Sequence, residues 1–158
     1  MAGRITKAEE QIKPDPRYGS KVLSRFINCV MGNGKKAVAQ KVVYAALDEI
    51  EKRTKGEPAA IEVFEKEIGR VRPGVEVRSK RVGGQNYQVP MQINKKRQQS
   101  LTFRWIIQSA RADSGKPMHI RLSKELMDAS KGEGKAVTIR ENMHRMADAN
   151  RAFSHFAW

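Results

Sequence analysis

The stretch VEVRSKRVGGQNYQVPM, residues 75–91, decides the predicted fold because its pattern differs from that of the segments around it. Its residues tend to alternate between apolar and polar side chains, a period typical of β-strands. Gly83-Gly84 can adopt the positive φ values that a tight two-residue turn requires. The stretch therefore predicts a β-hairpin. Its strands carry few apolar residues, so we expect the hairpin to protrude and to order against a partner.

On both sides of the hairpin, apolar residues recur with the helical period. Three helices are predicted before it, separated by Gly32-Asn33-Gly34 and by the segment around Pro58. After it, Asn94 can cap a fourth helix, and two more follow the breakers at residues 115–117 and 132–134. The sequence thus predicts a mainly α protein of about six helices, with one protruding hairpin between helices three and four.

The chain is predicted to form an arm and a single domain. Residues 1–19 are polar, contain two prolines and lack periodicity, which predicts an extended N-terminal arm. Residues 20–158 are predicted to form one helical domain that contains the hairpin, since 158 residues is an ordinary size for a single core. Thr138 and Glu141 have the spacing of a capping box, which predicts that the sixth helix begins there.

The composition indicates a polyanionic partner. The chain has 31 Lys and Arg against 17 Asp and Glu, a formal net charge of +14. Such a protein repels itself unless a polyanion neutralises it, and nucleic acid is the expected one. A membrane is not expected, because no run of about 18 apolar residues is present and the basic residues are not confined to one amphipathic helix. The N-terminus lacks an apolar signal segment, so we expect the cytoplasm or its organellar equivalent.

The positive charge is concentrated in the middle of the chain. Residues 70–121 hold twelve Lys and Arg but two acidic residues, a net charge of +10, whereas residues 41–69 carry five basic and seven acidic residues. We expect the latter to form ordinary solvated helix faces. Dense like charge costs stability in a free protein, and neutralisation by phosphates recovers it. The central segment therefore predicts RNA contacts, and its candidates include Arg72, Lys96, Arg111 and Lys116.

Two further segments could meet nucleic acid. In Gly32-Asn33-Gly34-Lys35-Lys36, small residues would let the backbone approach a phosphate at a helix N-terminus, although the spacing is not that of a P-loop. The hairpin carries amides and Tyr87, groups that can hydrogen-bond to unpaired bases or stack on them. Tyr87 could equally pack on its own sheet.

No catalytic residue, metal or cofactor is predicted. His119, His144 and His155 lie in no metal-binding pattern, and Cys29 alone can form neither a zinc site nor an internal disulfide. Cys29 is expected to be a buried core thiol. A ribonuclease would require an acid and a base near a phosphate, for which His144 and Glu141 are the available pair, and we disfavour it.

A DNA-binding architectural or repressor protein is the main alternative on charge alone. In a helix-turn-helix protein, we would expect the basic residues to lie around a short turn between two helices. Here the basic density is greatest on the hairpin and the helix that follows it. This distribution favours RNA.

Several long motifs carry a family resemblance. VRSKRVGGQNYQVP, residues 77–90, and RMADANRAFSHF, residues 145–156, resemble the signature hairpin and closing helix of the small-subunit ribosomal protein seven family. Further similarity to that family covers residues 15–158 and includes MGNGKKAVAQKVVYAAL (31–47), RQQSLTFRWIIQSAR (97–111) and LSKELMDAS (122–130).

The resemblance implies a structural constituent of the small ribosomal subunit. It would bind the 3′ major domain of ribosomal RNA, nucleate assembly of the head, and lie beside head and platform proteins. Its hairpin would face exit-site transfer RNA and the messenger RNA exit path. By matching motif, the implied ribosomal RNA contacts are Lys35, Lys36, Arg78, Lys95, Arg97 and Arg104. The implied hairpin contacts are Lys80, Arg81, Val82, Gly83, Gly84, Gln85, Asn86 and Tyr87.

Overall fold

The structure, a computed structural model, describes residues 11–157 and confirms a mainly α fold with one hairpin. A 3₁₀ helix, Arg151–Phe156, follows the sixth α-helix. The other elements, in chain order, are α1 (Lys21–Val30), α2 (Lys36–Thr54), α3 (Ala60–Val71), β1 (Val75–Val82), β2 (Gln85–Gln92), α4 (Lys95–Ala112), α5 (Met118–Lys131) and α6 (Lys135–Ala149).

The core is built where the helices meet around α5. Leu122 and Leu126 of α5 are fully buried, and this helix packs against α2, α3 and α4. Phe26 of α1 makes edge-to-face contacts with Phe64 and Phe103, with ring centroids 5.2 and 5.3 Å apart. Such aromatic pairs add to the free energy gained by burying their area. The core therefore joins helices from both sides of the hairpin in the sequence.

Local signals set several element boundaries as predicted. The side chain of Asn94 accepts a hydrogen bond from Arg97 N at 2.9 Å and so caps α4. Helix α1 ends at Val30, and Asn33 and Gly34, with φ values of 52° and 73°, then redirect the chain into α2.

The predicted start of the sixth helix is wrong. Helix α6 begins at Lys135, and its N-cap is Gly134, four residues before Thr138. The Thr138 hydroxyl donates to Gly134 O at 3.1 Å inside the helix. The reason is a tertiary contact, because Ala136 N donates to Glu125 Oε1 of α5 at 2.7 Å. A carboxylate from another helix thus satisfies an N–H group in the first turn of α6, so the helix can begin before the predicted capping box.

Two burial predictions are also wrong. Cys29 is exposed, because it shares with Lys21 and Arg25 the outer stripe of α1 at intervals of four residues. Glu67, expected on a solvated face, is fully buried, because it lies one turn from Phe64 on the inner side of α3. Periodicity alone misplaced both side chains.

The predicted arm can be followed only from Gln11, since its first ten residues lie outside the described range. Asp15 is buried and its carboxylate accepts hydrogen bonds from Tyr18 N at 3.1 Å and from the Tyr44 hydroxyl of α2 at 2.7 Å. Arg17 forms an ion pair with Asp48, also on α2. The segment just before α1 is therefore fixed to the helical domain.

Candidate RNA interface

The hairpin has the turn that its sequence predicts. Strands β1 and β2 are antiparallel, with Val75 opposite Gln92 at the base and Val82 opposite Gln85 at the tip. Gly83 and Gly84 have φ values of 58° and 88°, as a two-residue hairpin turn requires. At the tip, Arg81, Gln85 and Asn86 are exposed.

Glu76 fixes the base of the hairpin to the helical domain. Its carboxylate is nearly buried and accepts hydrogen bonds from Arg97 of α4 at 2.6 and 3.0 Å. Arg78 reaches the same carboxylate at 3.1 Å. The hydrogen bond from Arg97, followed by that from Arg78, lowers the pKa of Glu76 despite its burial. Both arginines, which the sequence suggested as RNA contacts, therefore take part in an ion pair within the protein.

We expect Glu76→Gln to destabilise the protein at pH 7 by about 1–2 kcal/mol, a value reduced because the Arg97 side chain is partly exposed. The pKa of Glu76 is lower in the folded state, so its stabilisation is present above the ordinary carboxyl pKa. It is lost as the pH falls through the lowered value. Urea unfolding should therefore show a difference between the two proteins at pH 7 that vanishes in acid.

The matched control for that substitution is Glu49→Gln. Glu49 forms an exposed pair with Arg53 one turn away on α2, at 3.0 Å. We expect a loss of about 0.3–0.5 kcal/mol for such a pair. Equal losses for Glu76→Gln and Glu49→Gln would show that the Glu76 pair does not anchor the hairpin.

The outer half of the hairpin packs against the C-terminal 3₁₀ helix. The Tyr87 ring lies 5.2 Å from that of Phe153 and 5.3 Å from that of Phe156, and we name these three residues the aromatic clasp. Lys80 Nζ donates to Phe156 O at 2.8 Å. The Tyr87 hydroxyl also donates to Gln85 Oε1 of its own strand at 3.1 Å. Tyr87 therefore contacts its own sheet, as one of the two alternatives weighed from the sequence expected, and in addition a distant segment of the chain.

A basic surface runs along α1 and the first half of α4. Arg25 donates to Gln99 Oε1 at 2.7 Å, which joins the two helices. Lys96 lines the same depression as Arg25 and Gln99, and Lys21 lies beside it. Sequence reasoning missed Arg25 and Lys21. Their spacing of four residues along α1 was the signal that could have revealed them.

The basic surface continues along α4 to Arg104, about two helical turns beyond Lys96. Cys29 is exposed at the surface, but neighbouring side chains partly shield its sulfur from water, and this desolvation raises the pKa of the thiol although the charges of Arg25 and Arg104 lower it. We therefore define the basic α1–α4 face by Lys21, Arg25, Lys96 and Arg104. Lys95 is exposed in the first turn of α4, next to it.

The two lysines at the start of α2 serve different surfaces. Both Lys35 and Lys36 are exposed. Lys36 borders a depression formed with the segment around Asp15, whereas Lys35 borders one that it shares with Arg111 of α4. Arg111 donates to Val30 O, the last carbonyl of α1, at 3.4 Å. The structure thus brings Lys35 together with Arg111, but not with Lys36.

Comparison with known proteins identifies the family. The pattern of the family Ribosomal protein S7p/S5e matches residues 2–151. The chain belongs to this ribosomal protein family. It is 57% identical over 156 residues to the small ribosomal subunit protein uS7 of Rhodopirellula baltica, covering 99% of both chains. The uS7 proteins of Xanthobacter autotrophicus and Rhizorhabdus wittichii are 51% and 52% identical over 158 residues, which is the full length of each.

This membership confirms the predicted family and a structural ribosomal role rather than an enzymatic one. His144 accepts a hydrogen bond from Gly74 N at 3.2 Å, a contact that supports the base of the hairpin. Within residues 11–157, no group of side chains is arranged to hold a metal ion. None of the helices in that range combines the length and apolarity that crossing a bilayer requires.

The two acidic residues of the central segment are both neutralised in this ribosomal protein. Glu76 pairs with Arg97 and Arg78, and Asp113 pairs with Lys135, whose hydrogen bond lowers the pKa of Asp113. The basic side chains exposed around them are therefore not opposed by free carboxylates of the same segment. They include Arg72, Arg81, Lys95, Arg104, Arg111 and Lys116.

Proposed function

We propose that this ribosomal protein is a constituent of the small subunit that binds the 3′ major domain of ribosomal RNA and nucleates the folding of the head. The neutralisation of Glu76 and Asp113 carries the proposal, because it leaves a surface of exposed cations suited to phosphate. The relatives named as small ribosomal subunit proteins support it. The same resemblance favours ribosomal RNA over DNA, and neighbouring head and platform proteins as further partners.

We propose further that the hairpin tip contacts exit-site transfer RNA and the messenger RNA exit path. Arg81, Gln85 and Asn86 are exposed there and offer one cation and two amides. Glu76 at the base and the aromatic clasp along the side hold the hairpin at two levels. A tip supported in this way can present its polar groups in one orientation, which lowers the entropy lost on binding.

A shortened hairpin separates this role from assembly. We expect that deleting Arg81, Val82, Gln85 and Asn86 leaves the fold intact, because two residues leave each strand and Lys80 remains opposite Tyr87. Head assembly should be unchanged. Reconstituted subunits should hold exit-site transfer RNA about tenfold more weakly, which corresponds to about 1.4 kcal/mol. Filter binding of deacylated transfer RNA measures this.

The control is a reconstituted subunit with an Arg151→Gln substitution, which removes a charge near the clasp while leaving the tip intact. If the shortened hairpin and this control hold transfer RNA equally well, the tip does not contact it. If the shortened chain fails to melt cooperatively, the tip is part of the folded core and the hairpin does not protrude as proposed.

A further inference from the structure

The segment that precedes α1 lies across the basic α1–α4 face. Ile12 is partly buried and borders two depressions on that face. Three of the four cations that define the face line the same depressions, namely Lys21, Arg25 and Lys96. An apolar side chain therefore occupies space among cations that a polyanion would otherwise approach. We name residues 11–16 the N-terminal strap.

The strap is anchored near its C-terminal end. The buried carboxylate of Asp15 accepts the hydrogen bond from Tyr44 of α2, and Asp15 N donates to Ser20 O at 3.3 Å. Pro14 and Pro16 flank Asp15 in the sequence. Each proline fixes its own φ and favours an extended conformation in the residue before it. The anchor and the two prolines therefore direct the strap from α2 back over α1.

The N-terminal end of the strap is held much less firmly. Among residues 11–14, Ile12 is partly buried, while Gln11, Lys13 and Pro14 are exposed. The two depressions beside Ile12 have volumes of about 300 and 220 Å³, so the packing around this side chain is loose. Burying one isoleucine incompletely gains a small free energy. The closed strap is therefore only modestly more stable than one whose N-terminal end has lifted.

We propose that the N-terminal strap is an autoinhibitory lid, which closes over the basic α1–α4 face in the free protein and lifts before that face binds a polyanion. This inference rests on the proposed function and adds a regulation of the same surface. The closed lid covers part of the charge, so weakly bound polyanions are disfavoured. A cognate RNA supplies the free energy of lifting through its additional contacts.

A strap that stays closed and meets phosphate through Lys13 is the alternative. The position of Ile12 favours the lid. An apolar side chain among three cations neutralises no phosphate, yet it occupies the space through which a phosphate would reach Arg25.

Cys29, the only cysteine of the chain, reports the position of the strap. It lines the larger of the two depressions together with Ile12, and desolvation raises the pKa of its thiol. The thiolate is the reactive form, so lifting the strap should speed its modification. In the full chain without RNA, we expect Ile12→Ser to raise the rate of labelling by a small maleimide about two- to fivefold.

The same substitution should strengthen RNA binding. Ile12→Ser should bind a transcript of the 3′ major domain about threefold more tightly, because a larger fraction of the chain is open before binding. The salt dependence should be unchanged, since no charge is altered. Tyr44→Phe removes a donor from the anchor without altering the face, and it should move both measurements in the same direction.

The matched control is Ile61→Ser. It makes the same exchange at a partly buried isoleucine in the first turn of α3, outside the strap, and should alter neither measurement. A cooperative thermal melt establishes that each variant is folded. Where Ile12→Ser fails this check, Tyr44→Phe decides by the same two measurements.

The outcomes separate the lid from the proposed function. If the unaltered chain fails to bind the transcript, the proposed function is wrong, whereas faster labelling of Ile12→Ser still supports the lid. If Ile12→Ser is labelled no faster than the unaltered chain, the strap does not open and the inference is overturned. Faster labelling with equal or weaker RNA binding would also overturn it, because the strap would then not compete with RNA.

Discussion

The double variant Lys95→Glu/Arg104→Glu should bind the 3′ major domain transcript on the order of 100-fold more weakly than the unaltered chain. Each reversal removes one cation from the surface along α4 and adds an anion that repels phosphate. Both side chains are exposed, so the substitutions should leave the fold intact. Affinity measured at several salt concentrations gives both the loss and its electrostatic origin.

The matched control for this pair is Lys52→Glu/Lys66→Glu. These lysines are exposed on α2 and α3, in the part of the chain where acidic residues outnumber basic ones. The net charge changes by the same amount, yet we expect less than about a threefold loss, since only screened long-range attraction is affected. Equal losses for the two variants would show that RNA binding follows total charge rather than the surface along α4.

Glu67→Met should stabilise the protein at pH 7 by about 1–3 kcal/mol. Glu67 is fully buried in α3, and neither carboxylate oxygen has a hydrogen-bond partner among the described residues. Burial, reinforced by the nearby Glu125, raises the pKa of Glu67 well above its usual range. Methionine has a similar size and no polar group that requires a partner.

The Glu67 carboxylate destabilises the fold at neutral pH, whereas the Glu76 carboxylate stabilises it, so the two contributions to stability change with pH in opposite directions. Because the pKa of Glu67 is raised in the folded state, the unfolded chain releases this proton first as the pH rises. The native side chain therefore costs most at neutral pH, and less below the ordinary carboxyl pKa. Urea unfolding should show that the advantage of Glu67→Met shrinks between pH 7 and pH 4.

The control for that substitution is Glu65→Met on the exposed side of the same helix. We expect a change within about 0.5 kcal/mol and little dependence on pH. A gain from Glu67→Met that is identical at pH 7 and pH 4 would show that the buried carboxyl is not the source of the cost.

The sequence predicted those parts of the fold that depend on local pattern. The hairpin with its Gly83-Gly84 turn and the cap at Asn94 each follow from residues within a few positions of one another. The same local rules failed at Thr138 and Glu67. In the first case Glu125 of α5 supplied the acceptor, and in the second the packing of α3 required burial of a charged residue.

The candidate interface was predictable in its charge but less so in its arrangement. The excess of basic residues in the central segment was visible in the sequence. That Glu76 would engage Arg97, or that Arg25 would lie beside Lys96 through its hydrogen bond to Gln99, depends on contacts between distant segments. Periodicity places a side chain on a face, and only tertiary packing decides what that face meets.

The aromatic clasp also determines the order in which the molecule can be completed. Lys80 and Phe156 are 76 residues apart in the chain. During synthesis the hairpin leaves the exit tunnel several seconds before Phe156 does, given the usual rate of elongation. Until then the aromatic clasp cannot form. The nascent protein can therefore assemble most of its helical core while the hairpin is still undocked. The segment that sets the hairpin's final orientation therefore follows all six α-helices out of the tunnel.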